Sequence, residues 1–419
     1  MNTVSAPVQT PPRPTDQQDE RLQDRSGLLG AFKAGIDRIK GGDLGVLPVV
    51  VGLAVIWTVL QLFHRGFLSS ANLVNLLMES AAVGTIALGI VCVLLVAQID
   101  LSVGSVSGVA AATLGVTFVV NGWNIWLSVA LAIAAGAAIG WIYGQVYNRF
   151  GVPSFVITLA GLLSFLGLQL FILKGIGTIN LPFDSPLVHF GQLAFVDDWL
   201  SYLFVVLAAG AVYVTGSLRA RERKAAGLSS QSRQMLIVKS LATLVVLGFV
   251  AWYLNQARGI GWMFIFFVAL VIIMHYLLTR TKWGRSMYAV GGNVEAARRS
   301  GINVKLIYTS AFVACSTLAA VGGILAASRL AAASQSSGGG DVNLNAIAAA
   351  VIGGTSLFGG RGTAFAALLG IIVIQSISNG LILLNLDSSF RFMVTGLVLL
   401  VAVALDSISR RSRSSHGRG

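Results

Sequence analysis

About twelve mostly apolar stretches follow one another along this chain, each close to the roughly 20 residues that span a bilayer as a helix. They fall at about 46–63, 76–98, 101–120, 123–147, 153–174, 199–216, 236–255, 260–279, 305–328, 342–358, 362–384 and 390–408. No other feature restricts the fold so strongly. In lipid, each such stretch must satisfy its backbone hydrogen bonds internally, so it forms a helix. Only 11% of the 419 residues are charged, against about 25% in a soluble domain, which excludes a water-soluble fold. The predicted fold class is all-α, a polytopic transmembrane helical bundle. Two pairs of stretches are split by short breaks, at Gln98–Gly104 and at Gly359–Gly362. At these breaks the chain can re-enter rather than cross.

The net charge of +13 does not point to nucleic acid, because the basic residues sit between apolar runs. Arg219, Arg221, Arg223, Lys224, Arg233 and Lys239 share one loop, and Arg280, Lys282, Arg285, Arg298, Arg299 and Lys305 share another. Arg410, Arg411, Arg413 and Arg418 form the tail. An even number of crossings puts all three on one side with the N-terminus, and the excess of cations marks that side as cytoplasmic. Asp184, Asp197, Asp198, Asp341 and Asp387 fall on the opposite side, where Trp123, Trp126, Trp199 and Trp262 form interfacial anchors. Residues 1–25, rich in Pro, Gln, Asp and Arg and without an apolar core, read as a disordered tail rather than a signal peptide. Leu28, Leu29, Phe32, Ile36 and Ile39 then share a helical face, either resting on the inner membrane surface or packed on neighbouring loops. The chain divides into a tail with an amphipathic helix (1–45), a membrane domain (46–408) and a basic tail (409–419).

Gly136, Gly140 and Gly144 recur at four-residue spacing, as do Gly104 and Gly108. Such stripes let helix backbones meet closely in lipid. The chemistry of an enzyme is not in evidence. No Gly-Lys dipeptide occurs, so there is no phosphate-binding loop of the usual kind, and His64, His189, His275 and His416 lack metal-ligand spacing. The Gly104-Ser105-Val106-Ser107-Gly108 run has no paired base, so its glycines read as packing. Cys92 and Cys315 lie in apolar runs and read as core residues.

Ionisable groups within the spans are few, chiefly Glu79 and Asp100, which argues against a proton- or sodium-driven carrier. Asp100, in Asp100-Leu101-Ser102-Val103-Gly104, either caps the following helix or touches substrate. Neutral polar residues such as Ser102, Thr158, Thr355, Ser356, Gln375 and Asn379 either bond helix to helix or line a path for a neutral hydrophilic cargo.

The longest polar interval of the second half, 283–304, reads W-G-R-S-M-Y-A-V-G-G-N-V-E-A-A-R-R-S-G-I-N-V. Asn293 is a good N-cap. Glu295 at the start and Arg298 and Arg299 at the end complement the helix dipole, and Gly301 follows where a left-handed residue is wanted. A short helix over 293–301 is therefore predicted, with Ala296, Ala297 and Ser300 small enough for another surface to approach. It either packs on its own protein or is presented to a partner.

The E-A-A-x-x-x-G pattern at Glu295, Ala296, Ala297 and Gly301 resembles the coupling segment of ABC importer permeases. Further stretches extend the resemblance: I-D-L-S-V-G-S at Ile99–Ser105, V-P-S-F-V-I-T-L-A-G-L at Val152–Leu162, T-K-W-G-R-S-M-Y-A-V-G-G-N-V-E-A-A-R-R-S-G-I-N-V at Thr281–Val304, and A-I-A-A-A-V-I-G-G-T-S-L-F-G-G-R-G-T at Ala346–Thr363. From about Val46 to Ser407 the chain resembles the permease subunits of bacterial importers for ribose, xylose, galactose and related sugars. An extra span pair around the basic loop, added to a ten-span core, is similar to the xylose permeases in particular.

The resemblance implies a cell-membrane pore subunit without cofactor or metal, working as one of two permease copies. It implies separate ABC ATPase subunits and an extracytoplasmic sugar-binding protein, and no nucleic acid. Gly284, Arg285, Gly291, Gly292, Asn293, Glu295, Ala296, Ala297 and Gly301 would form the ATPase contact. A gradient-driven sugar carrier, a permease for another small polar solute such as a nucleoside, and a non-transporting scaffold are the competing classes. The charge asymmetry makes a direct prediction for the membrane orientation. Single cysteines replacing Ser229 and Gln192, in a background lacking Cys92 and Cys315, should react with an impermeant thiol reagent on intact cells at position 192 only. Labelling at 229 alone would reverse the orientation.

Overall fold

The computed structural model describes residues 47–398 except 340 and 391, together with 400 and 404. The predicted tail 1–45, its amphipathic helix and the basic tail 409–419 lie outside the described residues. In chain order the elements are α1 (Leu47–Phe63), α2 (Ser70–Leu95), α3 (Val103–Gly115, running on in a π-turn Val116–Val120), α4 (Ile125–Phe150), α5 (Ser154–Ile172), β1 (Thr178–Asn180) and α6 (Pro186–Val188, running on in a π-turn to Leu193). They continue with α7 (Asp198–Ala225), α8 (Arg233–Asn255), α9 (Trp262–Arg280), α10 (Lys282–Gly292), α11 (Val294–Arg299), α12 (Val304–Leu330), β2 (Ala332–Ser334), α13 (Asp341–Ile352) and α14 (Phe365–Leu383).

Among the described residues, nine helices are long and apolar enough to cross a membrane, and α1 and α13 are shorter apolar helices. The protein is a polytopic helical membrane protein. The stretch predicted at 342–358 is shorter than expected: α13 stops at Ile352, about 18 Å of helix and too little for a crossing. Gly353 and Gly354 follow, the latter at φ +102°, a conformation closed to most side chains. The stretch predicted at 390–408 lies largely outside the described residues, although 392–398 are helical. The basic loop predicted from residue 217 is also shorter, because α7 runs on to Ala225. Arg and Lys are good helix formers, so the helix outlasts its apolar stretch.

The described chain forms two compact units, one of residues 197–253 and one of the described residues of 47–196 and 254–398. In the first, α7 and α8 form an antiparallel hairpin, with Gly216 against Leu236 and the Ser240 hydroxyl donating to the Ala209 carbonyl at 2.9 Å.

The second unit is organised around α12. Its neighbours reach it across glycine, for a simple reason: lipid offers no hydrophobic force between helices, so dispersion contacts at close range supply the association. Gly136, Gly140 and Gly144 of α4 lie against the α12 backbone at Ser316, Phe312 and Thr309. On the other faces of α12, Gly322 meets α2 at Ala82 and Ile86, and Gly323 meets α3 at Ser107. α2 is the inner helix, with 83% of its most apolar window buried against 22% for α5. Cys92 of α2 and Cys315 of α12 are wholly buried free thiols.

At the C-terminal end of α12, Ala331 turns left-handed at φ +51°. β2 then pairs antiparallel with β1, Thr178 opposite Ser334 and Asn180 opposite Ala332. From there the chain descends without helix along α3. Ser337 reaches Gly108, and Gly338 reaches Gly104. The Gln169 amide of α5 holds this descent by donating to the carbonyls of Ser334 at 3.0 Å, Gln335 at 3.3 Å and Ser337 at 2.9 Å. The Asn343 side-chain oxygen accepts from the Gly104 amide. The Gly104 and Gly108 stripe therefore receives an irregular backbone segment rather than another helix.

Close packing on α12 gives a stability prediction. Gly140→Val should lower the apparent Tm in detergent sharply, since overpacking costs about 1–3 kcal/mol or more. Gly167→Ala, at a helical position with open space around it, should leave Tm unchanged or higher. Equal thermal shifts in the two variants would refute the packing account.

Candidate functional site: the short-helix corner and the helix breaks

Two short helices, α10 and α11, join the long helices α9 and α12. Thr281 caps α10, its hydroxyl accepting from the Gly284 amide at 3.3 Å. Asn293 caps α11, with its side-chain oxygen accepting from the Ala296 amide at 2.9 Å. Gly301 has φ +80°, and behind it the Ile302 amide donates to the Ala297 carbonyl at 3.1 Å. The helix predicted over 293–301 is present with both specified ends. Glu295 and Arg298 pair at 3.0 Å on its surface, their side chains 66% and 63% exposed. An exposed pair of this kind adds less than about 1 kcal/mol.

The predicted contact residues divide into two groups. Arg285, Gly292, Asn293, Glu295, Ala296 and Gly301 are exposed. Gly284 and Ala297 are buried, and Gly291 is half-buried against its own chain. Ala297, 3% exposed, belongs to the main apolar core with Met287, Val290 and Ile307. The small face predicted for a partner is therefore Ala296 and Ser300 without Ala297. Its methyl group fills the space between α11 and the start of α12. Beside α11 a cavity of about 880 Å³ is lined by Gln98, Tyr147, Asn148, Arg298, Lys305 and Tyr308 among others, so the helix is open on this flank too.

Gly291 sits where the sequence offered no hint of a junction. The Gly360 amide donates to the Leu95 carbonyl at 2.9 Å, joining the break after α2 to the break after α13. The last turn of α10 presses on that joint. A methyl group at Gly291 would collide with the Leu95 carbonyl oxygen and the Gly360 nitrogen. Gly359 lies against Gly291 and Ala97, and the Tyr288 hydroxyl donates to the Gly362 carbonyl at 2.8 Å. Burial pushes the Tyr288 hydroxyl above its usual range, so it remains a neutral donor there.

The polar residues predicted along a substrate path are mostly bonded within the chain. Asp100 is fully buried, and its Oδ1 accepts from the Ser102 amide at 2.8 Å and hydroxyl at 2.7 Å. This is the geometry of a turn cap. Tyr143 donates to the Ser102 hydroxyl at 2.7 Å, and the Thr158 hydroxyl accepts from the Leu101 amide at 3.1 Å. Asn379 accepts from the Asn72 amide at 2.8 Å. Thr355 and Ser356 are buried in the turn after α13. Gln375 is half-buried and donates to Glu79 at 2.6 Å. The structure does not gather these residues into one cluster.

A many-helix membrane bundle, with a capped, exposed short helix next to a helix end seated on two helix breaks, fits a membrane transport subunit of the permease class. The chain belongs to the family described as branched-chain amino acid transport system / permease component, whose model matches residues 72–403. It is a multi-pass inner-membrane permease component, not an enzyme. The xylose transport system permease protein XylH of Escherichia coli K12 is 35% identical over 377 residues, covering 87% of this chain and 93% of that protein. The XylH of Haemophilus influenzae is 32% identical, covering 89% and 99%. The ribose import permease protein RbsC of Bacillus subtilis is 31% identical, covering 87% and 94%. No solved structure matches the chain.

The junction carries its own prediction. Gly291→Ala should destabilise the purified protein and lower its yield, whereas Gly292→Ala, whose added methyl meets nothing, should not. Matching melting curves for the two variants would show that the joint tolerates the extra carbon.

Proposed function

We propose that this chain is the translocation subunit of an ATP-driven importer for a monosaccharide, with a pentose of the xylose type as cargo. The observation that carries this is the 35% identity to a xylose permease across 87% of the chain. Two copies would form the passage, an external sugar-binding protein would deliver cargo, and ATPase subunits would dock on the exposed side of α11. In support, Gly292, Asn293, Glu295, Ala296 and Gly301 face outward on a helix fixed at both ends. Motion of α11 would reach the Gly291 joint and, through it, both helix breaks. That is a short mechanical route from nucleotide to passage.

Uptake in proteoliposomes holding the chain with its ATPase and binding protein tests this directly. ATP-dependent accumulation of labelled xylose is expected, above that of ribose, galactose or leucine. Accumulation without the ATPase would establish a gradient-driven carrier, and leucine uptake would establish an amino-acid cargo. Ala296→Trp should abolish ATP-driven uptake and weaken co-purification of the ATPase at unchanged melting temperature. Wild-type flux and ATPase retention in that variant would refute docking on α11.

A further inference from the structure

We infer that the irregular segment descending from β2 (Gln335 to Gly339), with Asp341 at the head of α13, lines a water-filled passage open to the outer face and offers hydrogen bonds to cargo there. The argument begins with depth. The outer end of α3 is Val120, on the side that the charge asymmetry makes external. At a rise of about 1.5 Å per residue, Gly108 lies roughly 18 Å below that end and Gly104 roughly 24 Å below it. Ser337 rests on Gly108 and Gly338 on Gly104. The segment thus sits well inside a hydrocarbon layer about 30 Å thick.

Irregular backbone at that depth is tolerated only when buried in protein or facing water. This segment is not fully buried: Gln335 and Ser336 are exposed, and Ser337, Gly338, Gly339 and Asp341 are half-buried. Every side chain from Ser334 to Ser337 is polar, and Asp341 is ionisable. Unsatisfied polar groups against lipid tails cost several kcal/mol each, and intramembrane carboxylates face interiors or water. The exposed side of the segment therefore borders water.

Its chemistry suits a neutral polyol. The Ser334 and Ser336 hydroxyls lie 2.9 Å apart, the Gln335 amide supplies donor and acceptor, and Asp341 supplies a strong acceptor at the start of a helix. Behind the wall the fully buried Gln169 fixes the backbone through three carbonyls, which keeps the exposed groups in place. The sugar part of this inference rests on the proposed cargo; the water-filled passage does not.

The test uses the assembled transporter with its ATPase and binding protein. Cys92 and Cys315 are wholly buried, so the native background is silent to a hydrophilic thiol reagent. Ser336→Cys should react from the outside, whereas Leu163→Cys should not. Leu163 is 64% exposed on an apolar face of α5, and its neighbour Leu162 accepts from Ser105 of α3, which places it at comparable depth. Xylose should slow the reaction at 336, and Asp341→Asn should raise the half-saturating sugar concentration at least tenfold. Reaction at 336 no faster than at 163 would overturn the passage. Reaction at 336 without protection by xylose, or an unchanged half-saturation in Asp341→Asn, would overturn the assignment of sugar to this wall.

Discussion

One backbone hydrogen bond, from the Gly360 amide to the Leu95 carbonyl, underlies the half of this protein that carries α10 and α11. Helices that stop inside a membrane leave amides and carbonyls without partners, and lipid supplies none. Here two interrupted helices satisfy one another. Their joint is then covered by the end of α10, which fits because Gly291 has no side chain. The inner ends of α2 and α13 and the exposed corner are in this way parts of one contact.

The opposite half solves the same problem differently. The strand pair β1–β2 closes the top of the descent from α12, and Gln169 together with Asn343 bonds the rest. The price is a set of polar surfaces in the middle of the membrane, which makes sense only beside water. α12 ties the two halves together. Its glycine contacts bring the backbones of α2, α3 and α4 directly against it.

Much of this was legible in the sequence. The long helices follow the apolar stretches, and the Gly136, Gly140 and Gly144 stripe points at α12 as its spacing suggested. Asn293 and Gly301 end α11 through local backbone chemistry, which a sequence displays openly. What was hidden depends on contacts between distant residues. α2 begins at Ser70, capped by Ser69; Asn72 and Glu79 find partners on α14 and Asn75 finds Arg258 in the turn before α9, and these polar residues break the apolar pattern that marks a span. Ala297 and Ala296 are adjacent alanines, and only the packing of α12 tells which one is buried. Gln335 to Gly339 reads like any external Ser- and Gly-rich loop. Only its contact with Gly104 and Gly108 places it deep. The candidate path residues pose a related problem: an amide inside a span looks the same in sequence whether it bonds a helix, as Gln375 and Asn379 do here, or a solute.

The brevity of α11 has a mechanical side. Six residues cannot hold a helix in water, where isolated helices shorter than about 12–15 residues are marginal. α11 therefore exists only while Asn293, Gly301 and the buried Ala297 clamp it to its neighbours. An element of that kind stores no deformation of its own. A load applied to it either moves the whole corner as a rigid arm or melts the turn outright, with no soft intermediate in which the stroke could be lost.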